Sequence, residues 1–372
     1  MSFSLLGKTL YPGSRNPSRR QDSFVAPSTS TNFTCEYQSA NPLVCMAAHP
    51  DEPLVALVSK QQLELVQLRV ALEDSISVAK LNKLSKLKSK SVMPTRARWQ
   101  SRKSPNPKLA IADSGGVFNV YETQNGALTL VGSSCGAGRA MKSLSFNTEQ
   151  PNLLITAASD GSARLWDLRT ALKLPLQTFT RARDVAREIE FQPESDSKFA
   201  VIYDSGVVQR WDLRQRSSAD VKLNAHQQGL SLAWHPSLNY LATGGRDNLV
   251  QVWNMSLVSE QPEMGVQTPS TVSQLFWQSG VTDSLQTSRV VCVGRPIESN
   301  AMRSTYSVYE LDKPYVPLYT VESHTDAVTD IVVPSYAHYN HNAPNASLAS
   351  HVPLVLSCSQ DGKFVQTDLR HE

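Results

Sequence analysis

Apolar and polar residues alternate in short bursts along this chain, and the bursts recur at a nearly fixed distance. Residues 241–253, LATGGRDNLVQVW, hold an apolar run, a turn at Asp247 and a second alternating run that ends in Trp253. The same layout stands upstream at 154–166, LITAASDGSARLW, with its turn at Asp160. A looser copy at 199–211, FAVIYDSGVVQRW, turns at Asp204. Asp or Asn follows each Trp: Asp167, Asp212 and Asn254. Trp166 and Trp211 stand 45 positions apart, and Trp211 and Trp253 42 apart. Alternation with period two predicts strands, and a repeat of roughly 40–45 residues is the length of one four-stranded unit of a radial all-β array.

Extending the period outward predicts an all-β, seven-bladed WD-repeat β-propeller over 32–372, with its clearest blades at 139–268. Blade one is expected from strands at 43–48, 54–58 and 63–70. Blade two is expected at 96–99, 108–112 and 117–121, with Tyr121 in the Trp position. Blades three, four and five follow at about 139–179, 185–223 and 225–268. Blade six reads as 272–277, 290–293 and 306–311, with the insertion 294–304 looping outward. Blade seven opens at Ser323-His324 and supplies strands at 327–333, 354–358 and 363–369, with a surface insertion at 336–353. That leaves it one strand short. An open sheet edge invites pairing with other chains, so 32–37 is expected to pair there and close the ring. The alternative is a closing strand beyond Glu372. Residues 1–31 are rich in Ser, Arg, Pro and Asn, and are expected to be a disordered arm.

Composition narrows the function. The 372 residues are 40% hydrophobic and 19% charged, with formal net charge +3, so bulk charge does not mark a nucleic-acid binder. Five scattered cysteines (Cys35, Cys45, Cys135, Cys292, Cys358) form no C-x-x-C pair and are expected to be reduced. Gly136-Ala137-Gly138 fails the G-x-G-x-x-G pattern, because Met141 occupies the third glycine position. His338, His341 and His351 give a weak metal pattern without cysteine. No motif points to an enzyme, a cofactor or a small-molecule substrate.

Three groups of residues carry chemistry. His226, Thr243, Asp247 and Trp253 stand where WD repeats place an internal hydrogen-bond relay, which is structural rather than catalytic. Arg169, Arg214 and Arg370 end three Asp-Leu-Arg tripeptides, the first two after Trp166 and Trp211 and the third after Thr367. They read either as Arg–Asp pairs tying neighbouring blades or as a docking face. Arg246 and Arg139 are further docking candidates, on the opposite face, which carries the loops that join blades. A basic run between Lys80 and Lys103 reads as a solvated loop between blades one and two, or as a membrane or RNA contact.

The segment 198–255, with KFAVIYDSGVVQRWDLRQ, KLNAHQQGLSLAWHP and YLATGGRDNLVQVWNM, resembles the propeller of the fungal restriction-of-telomere-capping WD proteins. These are subunits of the SEA complex, and their animal counterpart is a WD-repeat subunit of the GATOR complex. LNKLSK at 81–86 and NLLITAASDGSARLWDLR also fit. The resemblance implies a non-catalytic scaffold that regulates TOR signalling and autophagy, cytoplasmic and peripheral to the vacuole membrane. Its implied partners are other SEA-complex subunits, including nucleoporin-type propellers. Such proteins also carry a helical region and a zinc-binding RING, so a shortened product is expected here. A substrate receptor of a cullin-RING ligase and an RNA-associated propeller are the alternatives.

Overall fold

The structure, a computed structural model, describes residues 33–70, 76–86, 92–124, 127–134, 138–181, 183–215, 218–257, 259–278, 284–285, 288–295, 305–334 and 354–368. Every regular element among them is a strand, and the strands form seven four-stranded antiparallel sheets. Successive inner strands pack against one another around the ring, and Val328–Val332 of the seventh blade returns to Leu43–Ala48 of the first. The result is a seven-bladed β-propeller.

The ring closes through the N-terminal strand. Phe33–Gln38 pairs antiparallel with Lys363–Asp368 as the outer strand of blade seven. Two strand ladders from opposite ends of the chain thus share one sheet, which removes the open edge.

The repeat is visible as a shared register. Leu154 faces Trp166, Phe199 faces Trp211 and Leu241 faces Trp253. Blade two places Leu109 opposite Tyr121 at the same point. Blades one, six and seven fill it with Val66, Tyr309 and Thr367. The three indoles therefore occupy equivalent places in three consecutive blades.

No blade holds a core of its own. The buried apolar residues divide into seven clusters, and each joins two adjacent blades. Phe179 of blade three, for example, packs edge-on against Phe199 of blade four at 5.0 Å between ring centres. Each large side chain buried in such a seam contributes about 1.5–3 kcal/mol. The seams are the reason a single blade cannot stand alone.

Three expectations are corrected. Blade one has a fourth strand, Ile76–Lys86, with Leu63 paired to Leu84, where a loop was expected. The basic run is therefore not one surface. Lys80, Lys83 and Lys86 lie on that outer strand, Arg96 and Arg98 lie on the inner strand Pro94–Trp99, and Arg102 and Lys103 pair with Asp51 and Glu149 in the next loop. The period of three in KLNKLSK concealed a strand whose ladder to Gln62–Val70 is irregular. In the third correction, Gly294 and Arg295 belong to the strand Arg289–Arg295 rather than to the insertion. The arm 1–31 and most of both insertions lie outside the described residues.

Candidate docking face and the relay beneath it

The relay of blade five begins at Asp247, in the turn between Tyr240–Gly245 and Leu249–Asn254. Its carboxylate accepts from Nδ1 of His226 at 3.0 Å. The other ring nitrogen, Nε2, lies 3.0 Å from the Thr243 hydroxyl, and Nε1 of Trp253 donates to that hydroxyl at 3.0 Å. A carboxylate only accepts, so Nδ1 of His226 carries a hydrogen toward Asp247. Burial alone would raise the Asp247 carboxyl above its ordinary value. The hydrogen bond and charge of His226 and two backbone N–H groups outweigh it, and the carboxyl sits lower. The Thr243 hydroxyl is fully buried and already accepts from the Trp253 indole, so the arrangement satisfies buried polar atoms that would cost about 1–3 kcal/mol each if left unpaired.

Other blades keep parts of the relay. In blade three Trp166 donates to Thr156 at 3.1 Å, while Asp160 pairs with Arg164 and Ser162 instead of a histidine. Blade seven holds a set that the sequence reading missed: Nε2 of His324 lies 2.8 Å from the Ser357 hydroxyl, and its Nδ1 lies 3.6 Å from Asp361. The insertion between 334 and 354 stretches the spacing that would have revealed it. In blade four Val201 takes the hydroxyl position, so Trp211 cannot make the bond. The turn acid also differs there. In register with Asp160 and Asp247 stands Ser205, which donates to Asp184 at 2.5 Å, whereas Asp204 pairs with Arg187.

These turns support the loops that join blades. Gly161 has φ +81°, and a Cβ there would lie 2.2 Å from the carbonyl of Arg181 in the loop leading to blade four. Only glycine fits such a turn at such an approach. Gly161 accepts from the Arg181 N–H at 3.0 Å, and Arg246 N–H donates to Gln228 at 3.0 Å. Turns and joining loops thus share one face. Arg139, in the loop before Met141–Phe146, and Arg246 both lie on it, exposed. Exposed Arg183 and half-buried Lys142 also lie on this face, and the sequence reading passed over both.

Arg169 and Arg214 lie on the opposite face, in the connections after Ser162–Asp167 and Val207–Asp212. Each folds back on its own aspartate: Arg169 to Asp167 at 2.7 Å and Arg214 to Asp212 at 2.8 Å. The pairs are two residues apart within one blade, which corrects the expectation that they tie neighbouring blades. The Arg214 fork, foremost, holds the Asp212 carboxyl down at about 2. Both arginine side chains remain more than two-thirds exposed, at 68% and 69%. Arg370 lies outside the described residues. Around them the same connections expose Leu174, Leu176, Leu257, Tyr315 and Val316.

The centre of the ring is charged. Each inner strand carries a one-residue bulge near its start, and the position just after it points the side chain to a common ring. Glu188 there accepts from Leu232 N–H of blade five, Asp330 from Met46 N–H of blade one and Gln274 from Ile331 N–H of blade seven. Arg96 pairs with both Glu188 and Asp330. Two positions on from Glu188, Glu190 accepts from Trp234 N–H at 2.8 Å, and burial pushes its carboxyl up to about 7. Among the described residues, no group of three or more His, Cys, Asp or Glu is arranged to hold a metal ion. His338, His341 and His351 fall outside them.

Fold, register and relay together define a WD-repeat β-propeller. The family model for the WD domain, G-beta repeat, matches residues 129–167 and 219–254. Within that class the chain is 29% identical over 238 residues to restriction of telomere capping protein 1 of Vanderwaltozyma polyspora, covering 56% of this chain and 18% of that protein. It is 29% identical over 196 residues to the GATOR2 complex protein WDR24 of Danio rerio, covering 52% of this chain and 24% of that one. The chain thus spans a quarter or less of either relative. A chain of a mitotic checkpoint complex crystal structure superposes with TM-score 0.67 at 15% identity, over 99% of this chain and 100% of that one, a likeness of fold alone.

Proposed function

We propose that this chain is the propeller of a non-catalytic scaffold in a SEA- or GATOR-type complex that regulates TOR signalling and autophagy. Its partners are other subunits of that complex, including nucleoporin-type propellers, and it reaches the cytoplasmic side of the vacuole membrane through them. The observation that carries this reading is the similarity to restriction of telomere capping protein 1 and to WDR24 across more than half of the chain. The polar geometry supports a binding role. The His–Asp pair is consumed by the relay, and the exposed charge lies on two broad faces. Affinity purification with mass spectrometry tests it. Recovery of SEA- or GATOR-type subunits is expected. Recovery of a cullin adaptor or of RNA, without those subunits, would replace the reading.

A further inference from the structure

We propose that the face carrying Arg139, Lys142, Arg183 and Arg246 binds an acidic segment of a partner protein. This rests on the scaffold reading and adds the surface and the chemistry of what it holds.

The four cations lie on the joining loops, the turn and the bulge of blades three to five, on one side of the ring. Among the described residues none of them has a carboxylate partner. Of the acids along the same arc, Asp113 caps its own turn by accepting from the N–H groups of Gly115 and Val117, and four others are paired. Asp160 holds Arg164 at 2.5 Å, Asp184 holds Arg181 at 2.9 Å, Asp204 holds Arg187 at 2.6 Å and Asp247 holds His226 at 3.0 Å. Positive charge is therefore left over here, in a chain whose formal net charge is only +3.

The surface is also set in advance. The loop holding Arg139 runs over Gly116, where a Cβ would lie 2.4 Å from the Arg139 carbonyl. The loop holding Arg183 is seated on Gly161, and Arg246 is fixed through its N–H to Gln228. A partner meets three arginines whose loops are anchored at these contacts, which lowers the entropy cost of binding. Arginine forks match carboxylates in charge and in planar geometry.

The same face argues against the other polyanions. Anionic membranes hold peripheral proteins through cations together with inserted apolar side chains. Here, among the described residues, Met93 is the one large exposed apolar side chain at the joining loops; Leu130 and Val131 lie on the outer strand of blade two, and Leu174, Leu176, Leu257, Tyr315 and Val316 on the opposite face. Single-stranded RNA is held by stacking on aromatics. The exposed aromatic among the described residues, Tyr315, also lies on the opposite face.

The test uses the full chain and a fluorescein-labelled deca-glutamate peptide, read by fluorescence anisotropy. Binding is expected, and it should weaken between about 50 and 200 mM salt as screening grows. The triple variant Arg139→Ala, Arg183→Ala, Arg246→Ala should lose about tenfold or more in affinity. Its thermal unfolding should be unchanged, because all three side chains are exposed. The pair Arg169→Ala, Arg214→Ala on the other face should bind as the parent does. Equal affinity of parent and triple variant overturns the proposal. So does preference for phosphatidylserine-containing vesicles or oligo-uridine over the peptide. A chain that recovers SEA- or GATOR-type subunits but ignores the peptide sinks this inference alone. One that does neither sinks the scaffold reading as well.

Discussion

Arg96 on the second blade pairs with Glu188 on the fourth, across the middle of the ring. The same guanidinium reaches Asp330 on the seventh at 3.1 Å, and all three side chains are buried. Blades that share no seam are thus joined through the centre. Glu188 and Asp330 also accept backbone N–H groups of blades five and one. Removing the cation leaves two buried carboxylates without it. Arg96→Leu is therefore expected to destabilise the protein by about 3–5 kcal/mol in denaturant unfolding. Glu188→Gln retains an acceptor for Leu232 and should cost less. Equal losses from the two variants would show that the charge on Arg96 is not what matters.

Blade four offers a gain. Val201 stands where blades three and five place Thr156 and Thr243. In both of those, the threonine accepts from the indole of its own blade and lies against a carbonyl of the neighbouring strand. Val201→Thr would give Trp211 an acceptor, and would place its own hydroxyl near the carbonyl of Gln209. The change is expected to stabilise by up to about 1 kcal/mol, and Thr243→Val to cost about 1–3 kcal/mol. Melting temperatures of the two variants, compared with the parent, decide it. A lower value for Val201→Thr would mean that the indole has no use for the hydroxyl.

Most of the fold was legible because burial enforces the repeat. Leu154, Phe199 and Leu241 must face their indoles for the seams to fill, so strand, turn and Trp recur at near-constant spacing. The closing strand followed from the cost of an open edge. The relay of blade five was legible for the same reason, since all four of its residues lie within one unbroken repeat. What escaped depends on contacts between distant blades. Nothing in the local pattern around Arg96 says that its partners lie 92 and 234 residues away. The insertion in blade seven hid the pairing of His324 with Ser357 in the same way, by breaking the spacing. Arg183 and Lys142 belong to no repeated tripeptide, so only the assembled ring brings them to the same face as Arg139.

Gly161 is the most exacting of the turn positions. A side chain there meets two carbonyls, Arg181 and Asp184, at 2.2 and 2.4 Å from its Cβ, and its φ of +81° is itself unfavourable for an L residue. Asn248 occupies the corresponding turn of blade five at φ 60°, a conformation asparagine tolerates. Gly161→Ala should therefore displace the loop that holds Arg183 and cost more than the roughly 1 kcal/mol of conformational strain alone. Asn248→Gly should be close to neutral. Hydrogen exchange of the 181–185 loop reads the first effect directly: amides there should exchange faster in Gly161→Ala than in the parent. Unchanged protection would mean that the turn does not hold the loop.

Stability should pass through a maximum at mildly acidic pH, because two sets of carboxyls shift in opposite directions. Asp247 and Asp361 are buried enough to be raised, but hydrogen bonds outweigh burial and leave them below the ordinary value of 3.8. Their contribution is complete above that value and is lost as pH falls through their folded values. Glu190 behaves oppositely. Burial first, with the charge of Glu188 adding to it, raises its carboxyl from 4.5 to about 7, against the opposing Trp234 N–H, Arg98 and Arg96. The folded chain then holds this proton more tightly than the unfolded one. Stability is complete below pH 4.5 and declines until about 7, by about 3 kcal/mol at most. The melting temperature of the parent should accordingly drop between pH 5 and 7.5. Glu190→Gln keeps an oxygen for Trp234 and cannot ionise, so its profile should lose that decline, leaving in the window only the rise set by His49 and His324, whose burial lowers them below 6.5, while the acid limb persists. A parent and variant that descend in parallel from pH 5 to 7.5 would place the titrating group elsewhere in the ring.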